Sequence, residues 1–295
     1  MKCATWQSAI DSLVRKLRTE GYTRATIRHH RYGCRIVADR LQTIEPSLSR
    51  PSEVKEVHVT ALLSMMRSEG LSVATMRGYI SSLRTLCDHC DNHVLDSIHP
   101  IWSQDMRQNV HWLSEDNASH LLNSALDPRE GLIITLMLCM GLRRVEVVRL
   151  KLGDVGDGWI LVRGKGHEGG KLRTVPFHPR FGPALARWMR VREELLRGSG
   201  YRSDALLVYR HGRSLLAYSE LGSAIDNIVR TATQRVGVPC SSHTLRRTFG
   251  RAMWHAGVPV ETIARILGHS NTIQTLRYIG AGLDDMTDAM TKLVF

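Results

Sequence analysis

The sequence predicts a mainly α-helical protein with a small β-sheet (α+β), folded as two domains. Three observations predict this. The chain has 295 residues, enough for two domains at roughly 150 residues each. Its first hundred residues carry Ala, Leu, Ile, Arg and Met at helical spacing, with no alternating strand pattern. Two short β-prone segments, 159–162 and 173–175, flank a Gly-rich turn. With 43% hydrophobic residues, 23% charged and 9 Pro, the composition is that of an ordered globular chain.

The helical first domain is expected over residues 1–104. Within it Arg24, Arg28, Arg31 and Arg35 step by 4, 3 and 4, which sets four guanidinium groups along one helix face. Ile27, Cys34, Ala38 and Leu41 form the adjoining apolar face. A second amphipathic stretch, 73–87, carries Arg77 and Arg84 seven apart. Residues 96–110 hold Pro100 and no clear period, as a linker would. The second domain is expected over 112–295. Ser114, followed by Glu115 and Asp116, caps a helix running to about residue 125. A buried helix covers 132–140, then the two strand segments, then helical patterns at 179–196, 219–235, 244–255, 260–267 and 283–293.

Lys and Arg number 40 against 28 Asp and Glu, a formal charge of +12. Such a surplus suggests a polyanionic partner, with nucleic acid foremost; on charge alone a generally basic surface or an anionic membrane remains open. Residues 1–44 hold nine Lys or Arg against Asp11, Glu20 and Asp39. The arginine stripe is therefore either a solvated face or a helix that contacts DNA, with Arg77 and Arg84 as further backbone contacts. The six cysteines are too sparse for a disulfide framework. The N-terminus lacks the apolar stretch of a signal peptide. A cytoplasmic protein without a membrane span is expected. Cys87, His89, Cys90 and His93 imitate a zinc site, with Cys87, Cys90 and His93 expected on one helix. No paired second half lies nearby, so core cysteines are the expectation and no metal is assigned.

Four segments carry chemistry. In 141–150, GLRRVEVVRL, Arg143 and Glu146 sit one turn apart, so the carboxylate can orient the guanidinium; alone, that is the pattern of a surface ion pair. In 242–247, SHTLRR, His243 and Arg246 share a face near a helix start, where the positive helix end also attracts an anion. In 267–278, LGHSNTIQTLRY, His269 and Tyr278 lie nine apart. The fourth segment, 164–176, reads GKGHEGGKLRTVP and places Lys165 between glycines at the turn.

Taken in this order, GLRRVE, GKG with KLRTVP, HTLRR, and LGH followed by Tyr278, the sequence resembles the tyrosine recombinase (phage integrase) family over about residues 112–280. The helical first hundred residues resemble the SAM-like core-binding domain of its simple, Xer-like members, with no further arm-binding domain expected. The resemblance implies a site-specific DNA recombinase that cuts and rejoins strands through a 3′-phosphotyrosine link and a Holliday junction. It implies Tyr278 as nucleophile, Arg143 and Arg246 as clamps on the non-bridging phosphate oxygens, and His269 as a further hydrogen-bond donor. It also implies His243 as an aid to proton transfer from the tyrosine, Lys165 as general acid, and Glu146 as a supporting residue. No cofactor is implied, because the phosphotyrosine stores the bond energy that religation uses.

The turn at 164–176 is about two residues longer than the usual family hairpin, which leaves Lys171 as a rival to Lys165, and Gly280 stands where many relatives carry His. Leu283, Met286, Met290 and Leu293 form an apolar stripe on a short terminal helix. Such a stripe either docks on its own domain or, as the resemblance to the simple recombinases implies, packs into a neighbouring protomer. The expected partners are therefore a double-stranded DNA recombination site and a homotetramer on paired sites, with a second recombinase or accessory protein an open addition and no membrane. Two alternatives stand beside this: a type IB topoisomerase or telomere-resolvase-like enzyme, and a catalytically silent DNA-binding regulator. The choice between chromosome or plasmid resolution and mobile-element integration is not written in these residues.

Overall fold

The computed structural model describes residues 5–102, 111–164, 171–211, 214–218, 224–282, 285, 287, 290 and 291. The chain divides into two compact units, residues 1–106 and 107–295.

Among its described residues the first unit has four α-helices, α1 (Trp6–Thr19), α2 (Arg24–Ile44), α3 (Glu56–Ser68) and α4 (Val73–His89), with a single 3-10 turn at Pro51–Glu53. Thr5, Thr23 and Ser72 cap α1, α2 and α4 by accepting a backbone N–H three residues on, which answers the orphan donors of each first turn. The long α2 is the centre, packed against the other three. Ile27, Cys34, Ala38 and Leu41 are all buried there, as the sequence pattern requires.

Helix α4 stops at His89, and this corrects the expectation that Cys87, Cys90 and His93 share one helix. Asp91 takes a left-handed φ of 57°. The Asn92 side chain donates to the carbonyls of Pro51 and Val54, 2.9 Å each, and draws the chain off the helix axis. His89 meets Ser12 at 2.9 Å, and His93 is exposed. Burial pushes the Cys87 thiol up to about 12, so it sits in the core as an apolar group.

In the second unit, α5 (Glu115–Asn123) leads to the buried α6 (Pro128–Leu138) and then to α7 (Arg144–Arg149). Strands β1 (Trp159–Arg163) and β2 (Leu172–Pro176) form an antiparallel hairpin with Arg163 opposite Leu172. Next come α8 (Phe181–Leu196), a second hairpin of β3 (Val208–His211) and β4 (Ser214–Ala217), α9 (Ala224–Arg235), α10 (Ser242–His255), α11 (Val260–Leu267) and α12 (Thr272–Ile279). Helix α6 is apolar nearly all round and is enclosed by α5, α8, α9 and α10, so it needs no solvent face. The second hairpin and α12 were not anticipated from the pattern. No helix among the described residues is long and apolar enough to cross a membrane.

Gly141 makes the turn between α6 and α7 at φ +65°, and a Cβ there would lie 2.4 Å from the Phe249 ring of α10. Gly141→Ala is expected to destabilise the chain by about 2 to 3 kcal/mol, from the strained backbone together with overpacking. Gly153 has nothing within 4 Å of the corresponding position. Gly153→Ala should therefore stay within about 0.5 kcal/mol of the parent. Urea unfolding midpoints of the two variants check the contrast.

Candidate active site

The site is assembled around one buried carboxylate. Glu146 is the third residue of α7 and only 1% exposed. Its Oε2 accepts the Arg143 backbone N–H at 2.8 Å, closing the helix start. Arg143 Nη1 donates to Oε1 at 2.8 Å. Arg173, on β2, forks onto both oxygens at 2.8 and 2.9 Å, and Arg246 Nη1 approaches Oε2 at 3.5 Å. Burial alone would raise the carboxyl, but the Arg173 bonds and the charges of Arg173 and Arg246 outweigh it and hold Glu146 at about 2.

The same three guanidinium groups cap the end of α11. Arg173 Nε donates to the carbonyl of Ile266 at 2.7 Å, Arg246 Nη2 to that of Leu267, and Arg143 Nη2 to that of Gly268 at 3.3 Å. Three successive carbonyls at a helix C-terminus, where orphan acceptors and the negative end of the dipole coincide, thus each receive one arginine. Gly268 turns the chain there at φ +64°, and a Cβ on it would press the Arg173 side chain at 3.1 Å.

Arg246 is 1% exposed and also donates to the Gly141 carbonyl. Burial and the neighbouring Arg143 charge lower it to about 9, so it remains charged at neutral pH. The expected shared face of His243 and Arg246 resolves into two environments, because Arg246 faces the buried carbonyls while His243, in the first turn of α10, is exposed.

His269 follows the α11 turn. Its Nε2 stands 3.4 Å from Arg246 Nη2 and its Nδ1 2.9 Å from the Thr275 hydroxyl. Burial, then the charges of Arg246, Arg143 and Arg173, bring it down to about 4, so the ring is neutral at pH 7. Tyr278 lies in the last turn of α12, edge-on to His269 with ring centroids 5.1 Å apart. The guanidinium carbons of Arg246 and Arg247 lie 5.8 and 5.5 Å from the phenol ring centre. Its hydroxyl donates to the His243 carbonyl at 3.3 Å. Burial raises the phenol's pKa, against the pull of Arg246 and Arg247.

The structure therefore gathers Arg143, Glu146, Arg246, His269 and Tyr278, with the His243 backbone. Lys165 lies outside the described residues. Lys171 is exposed, and its carbonyl receives the Gly164 N–H at 2.9 Å. Arg173 is a participant that the sequence reading did not single out. The only available signal was its place in KLRTVP.

In the first unit Arg24, Arg28 and Arg35 are exposed on α2, whereas Arg31 pairs with Asp11 at 3.5 Å. On α4, Arg77 stacks over Trp102 at 5.6 Å and Arg84 pairs with Asp96 at 3.1 Å.

The model of the phage integrase family matches residues 111–282, well over half of the chain. The chain belongs to this family. Among curated members of this recombinase group, the tyrosine recombinase XerD of Listeria monocytogenes serotype 4b (strain F2365) is 24% identical over 80% of the chain and 81% of its own length. The tyrosine recombinase XerC of Alcanivorax borkumensis (strain ATCC 700651 / DSM 11573 / NCIMB 13689 / SK2) is 27% identical over 78% and 76%. The fold is that of the XerH site-specific recombinase crystallised with a palindromic difH substrate after cleavage, with a TM-score of 0.72 and 19% identity over 98% of this chain and 84% of that one. The protein is a tyrosine recombinase, an enzyme.

Glu146 has a folded pKa below its unfolded one, so its stabilising contribution is full above pH 4.5 and is lost as the pH falls toward 2. The difference corresponds to roughly 3 kcal/mol. Glu146→Gln is expected to destabilise the chain at pH 7 and to flatten the loss of stability between pH 5 and 2. Denaturant midpoints across that range check both.

Proposed function

We propose that this site-specific DNA recombinase uses Tyr278 as its nucleophile and the cluster around Glu146 as its phosphate pocket. The observation that carries the reading is the tyrosine's position, edge-on to His269 and within 6 Å of two guanidinium groups. In the forward step the phenolic oxygen bonds to phosphorus and the bond from phosphorus to the 5′-oxygen breaks. The phenol proton leaves through His243, and Lys165 protonates the departing 5′-oxygen. A 5′-hydroxyl from a partner strand then attacks the 3′-phosphotyrosine and restores the tyrosine. That exchange forms a Holliday junction between two duplexes.

Arg143 and Arg246 neutralise the non-bridging oxygens, Arg143 as a planar fork that lysine cannot reproduce and Arg246 through the fixed charge of a guanidinium whose Nη1 and Nη2 already donate to the Gly141 and Leu267 carbonyls. The resting pocket has the right balance for an anion. Three arginines against one carboxylate, with His269 neutral, leave 3 − 1 = +2.

The DNA-binding face of the first unit is Arg24, Arg28 and Arg35. The ion pairs of Arg31 and Arg84 and the Trp102 stack of Arg77 must open or be shared before those side chains reach phosphate. Four protomers act on two paired sites, with the terminal stripe of Leu283, Met286, Met290 and Leu293 packed against a neighbour. Of these, Met290 is described, and at 67% exposed it is open to such a partner.

Tyr278→Phe is expected to bind a recombination half-site normally and to form no covalent adduct on a nicked suicide substrate. A persisting adduct would remove the tyrosine from its role. Arg143→Lys and Arg246→Lys should each slow adduct formation by about 100- to 1,000-fold, the range for one preorganised donor. Replacing the 5′-bridging oxygen with sulfur supplies a leaving group that needs little protonation. Lys165→Ala should regain cleavage on that substrate and Arg143→Ala should not; rescue of Lys171→Ala with no defect at Lys165 would transfer the acid role.

A further inference from the structure

We infer that Asp285 is a positioning residue for Tyr278: it fastens the chain just beyond the nucleophile to α10, the helix that carries Arg246. The inference rests on the reading of Tyr278 as nucleophile.

Asp285 lies seven residues after the tyrosine, and its side chain is 12% exposed. Its Oδ2 accepts Arg251 Nη1 at 2.8 Å and the Gly282 backbone N–H at 2.9 Å, while Oδ1 accepts Trp254 Nε1 at 3.2 Å. Arg251 and Trp254 are one turn apart on α10 and so present two donors to one carboxylate. Arg251 is held in turn by the Trp112 ring, with 4.6 Å from its guanidinium carbon to the ring centre. Trp112 comes from the far end of the unit's sequence, so the Arg251 side chain of this clasp is held both by it and by Asp285.

Helix α12 has eight residues, too few to be stable alone. Its start is fixed by Asn271, whose side chain accepts the Gln274 N–H at 2.7 Å. Tyr278 occupies the last turn, where an unsupported helix frays first. Two features hold that turn against α10. Ile279 is fully buried and so close to Gly250 that a Cβ there would meet it at 2.9 Å. Asp285 then anchors the chain that leaves the helix.

The His243 carbonyl that receives the tyrosine hydroxyl, the Gly250 contact and the Arg251 and Trp254 donors all lie along α10. The phenol is therefore registered against the helix that also carries Arg246. Loosening the clasp frees the last turn of α12 and lowers the fraction of time the tyrosine spends in line with phosphorus. The DNA-contacting groups are untouched, so the effect falls on the rate of attack and spares binding.

The test uses the full chain on a nicked suicide substrate, with adduct formation followed at saturating protein and half-site affinity measured separately. Asp285→Asn is expected to slow adduct formation at least 10-fold with the half-site Kd within twofold of the parent. Asp285→Glu should recover most of the rate, since a carboxylate on a longer arm still reaches the Arg251 guanidinium. Arg251→Gln should slow the reaction similarly, and adding Asp285→Asn to it should cost little more, because the two act as one unit. A parental rate in Asp285→Asn, or a slowed rate matched by an equal loss of half-site binding, overturns the inference. Tyr278→Phe is run beside them. An adduct in that variant refutes the nucleophile assignment itself, while no adduct there together with a parental rate in Asp285→Asn refutes the clasp alone.

Discussion

The arrangement of the catalytic unit depends on the buried carboxylate of Glu146. Three guanidinium groups that repel one another are brought within reach of a single anion, which receives N–H groups from Arg143, Arg173 and Arg246. Removing one partner from such a buried ionic cluster typically costs 3 to 5 kcal/mol, because the remaining charges are left without compensation. The carboxylate cannot neutralise three cations, and the fold makes up part of the difference with dipoles. The last carbonyls of α11 take one donor from each arginine, and the Gly141 carbonyl takes another from Arg246. The arginines thus tie the α6–α7 turn, β2, α10 and the end of α11 into one piece. Preorganisation of the pocket and stability of the unit are the same set of bonds.

This design leaves a positive remainder. On the proposed reading, with His269 neutral, the three arginines and Glu146 alone leave a surplus that already exceeds the single charge of a phosphodiester. An excess of that kind favours the transition state over the bound substrate, which is the condition for raising the rate of the chemical step. Arg246 makes the contribution with the least freedom to reorganise. It is almost wholly enclosed, and its nitrogens are already committed to carbonyls, so its charge is delivered as a fixed field.

Much of this fold was legible because local signals agree with the final structure. Ser114 does cap α5, the apolar run of residues 132–140 does fall largely in the enclosed α6, and the two β-prone segments do pair antiparallel. Arg143 and Glu146 are one turn apart, so their pairing follows from spacing alone. What was not legible depends on residues far apart in sequence. Arg173 reaches Glu146 across 27 positions, and as a strand residue between exposed neighbours it carries no periodic mark. Arg31 and Arg84 meet acids 20 and 12 positions away, outside the i±4 range in which helix charges can be paired by inspection. The burial of Arg246 was hidden for a related reason: its acceptors are backbone carbonyls, which every residue possesses and no sequence pattern advertises.

His269 shows how much of the chemistry sits in the proton positions. A guanidinium has N–H groups and no acceptor, so the Nε2 that faces Arg246 must be the unprotonated nitrogen. The ring proton is then on Nδ1 and is donated to the Thr275 hydroxyl, which can pass its own hydrogen toward the Asn271 carbonyl at 3.5 Å. In this state His269 offers a phosphate no donor from Nε2. For it to do so the proton must appear on Nε2 and the Nδ1 contact must reverse. Thr275 permits this because a hydroxyl can donate as readily as accept. The residue is fully buried, so no water competes for the role. The neutral ring, kept so by burial and by three nearby cations, can therefore present either nitrogen as the donor without adding a fourth positive charge to a pocket already short of anions.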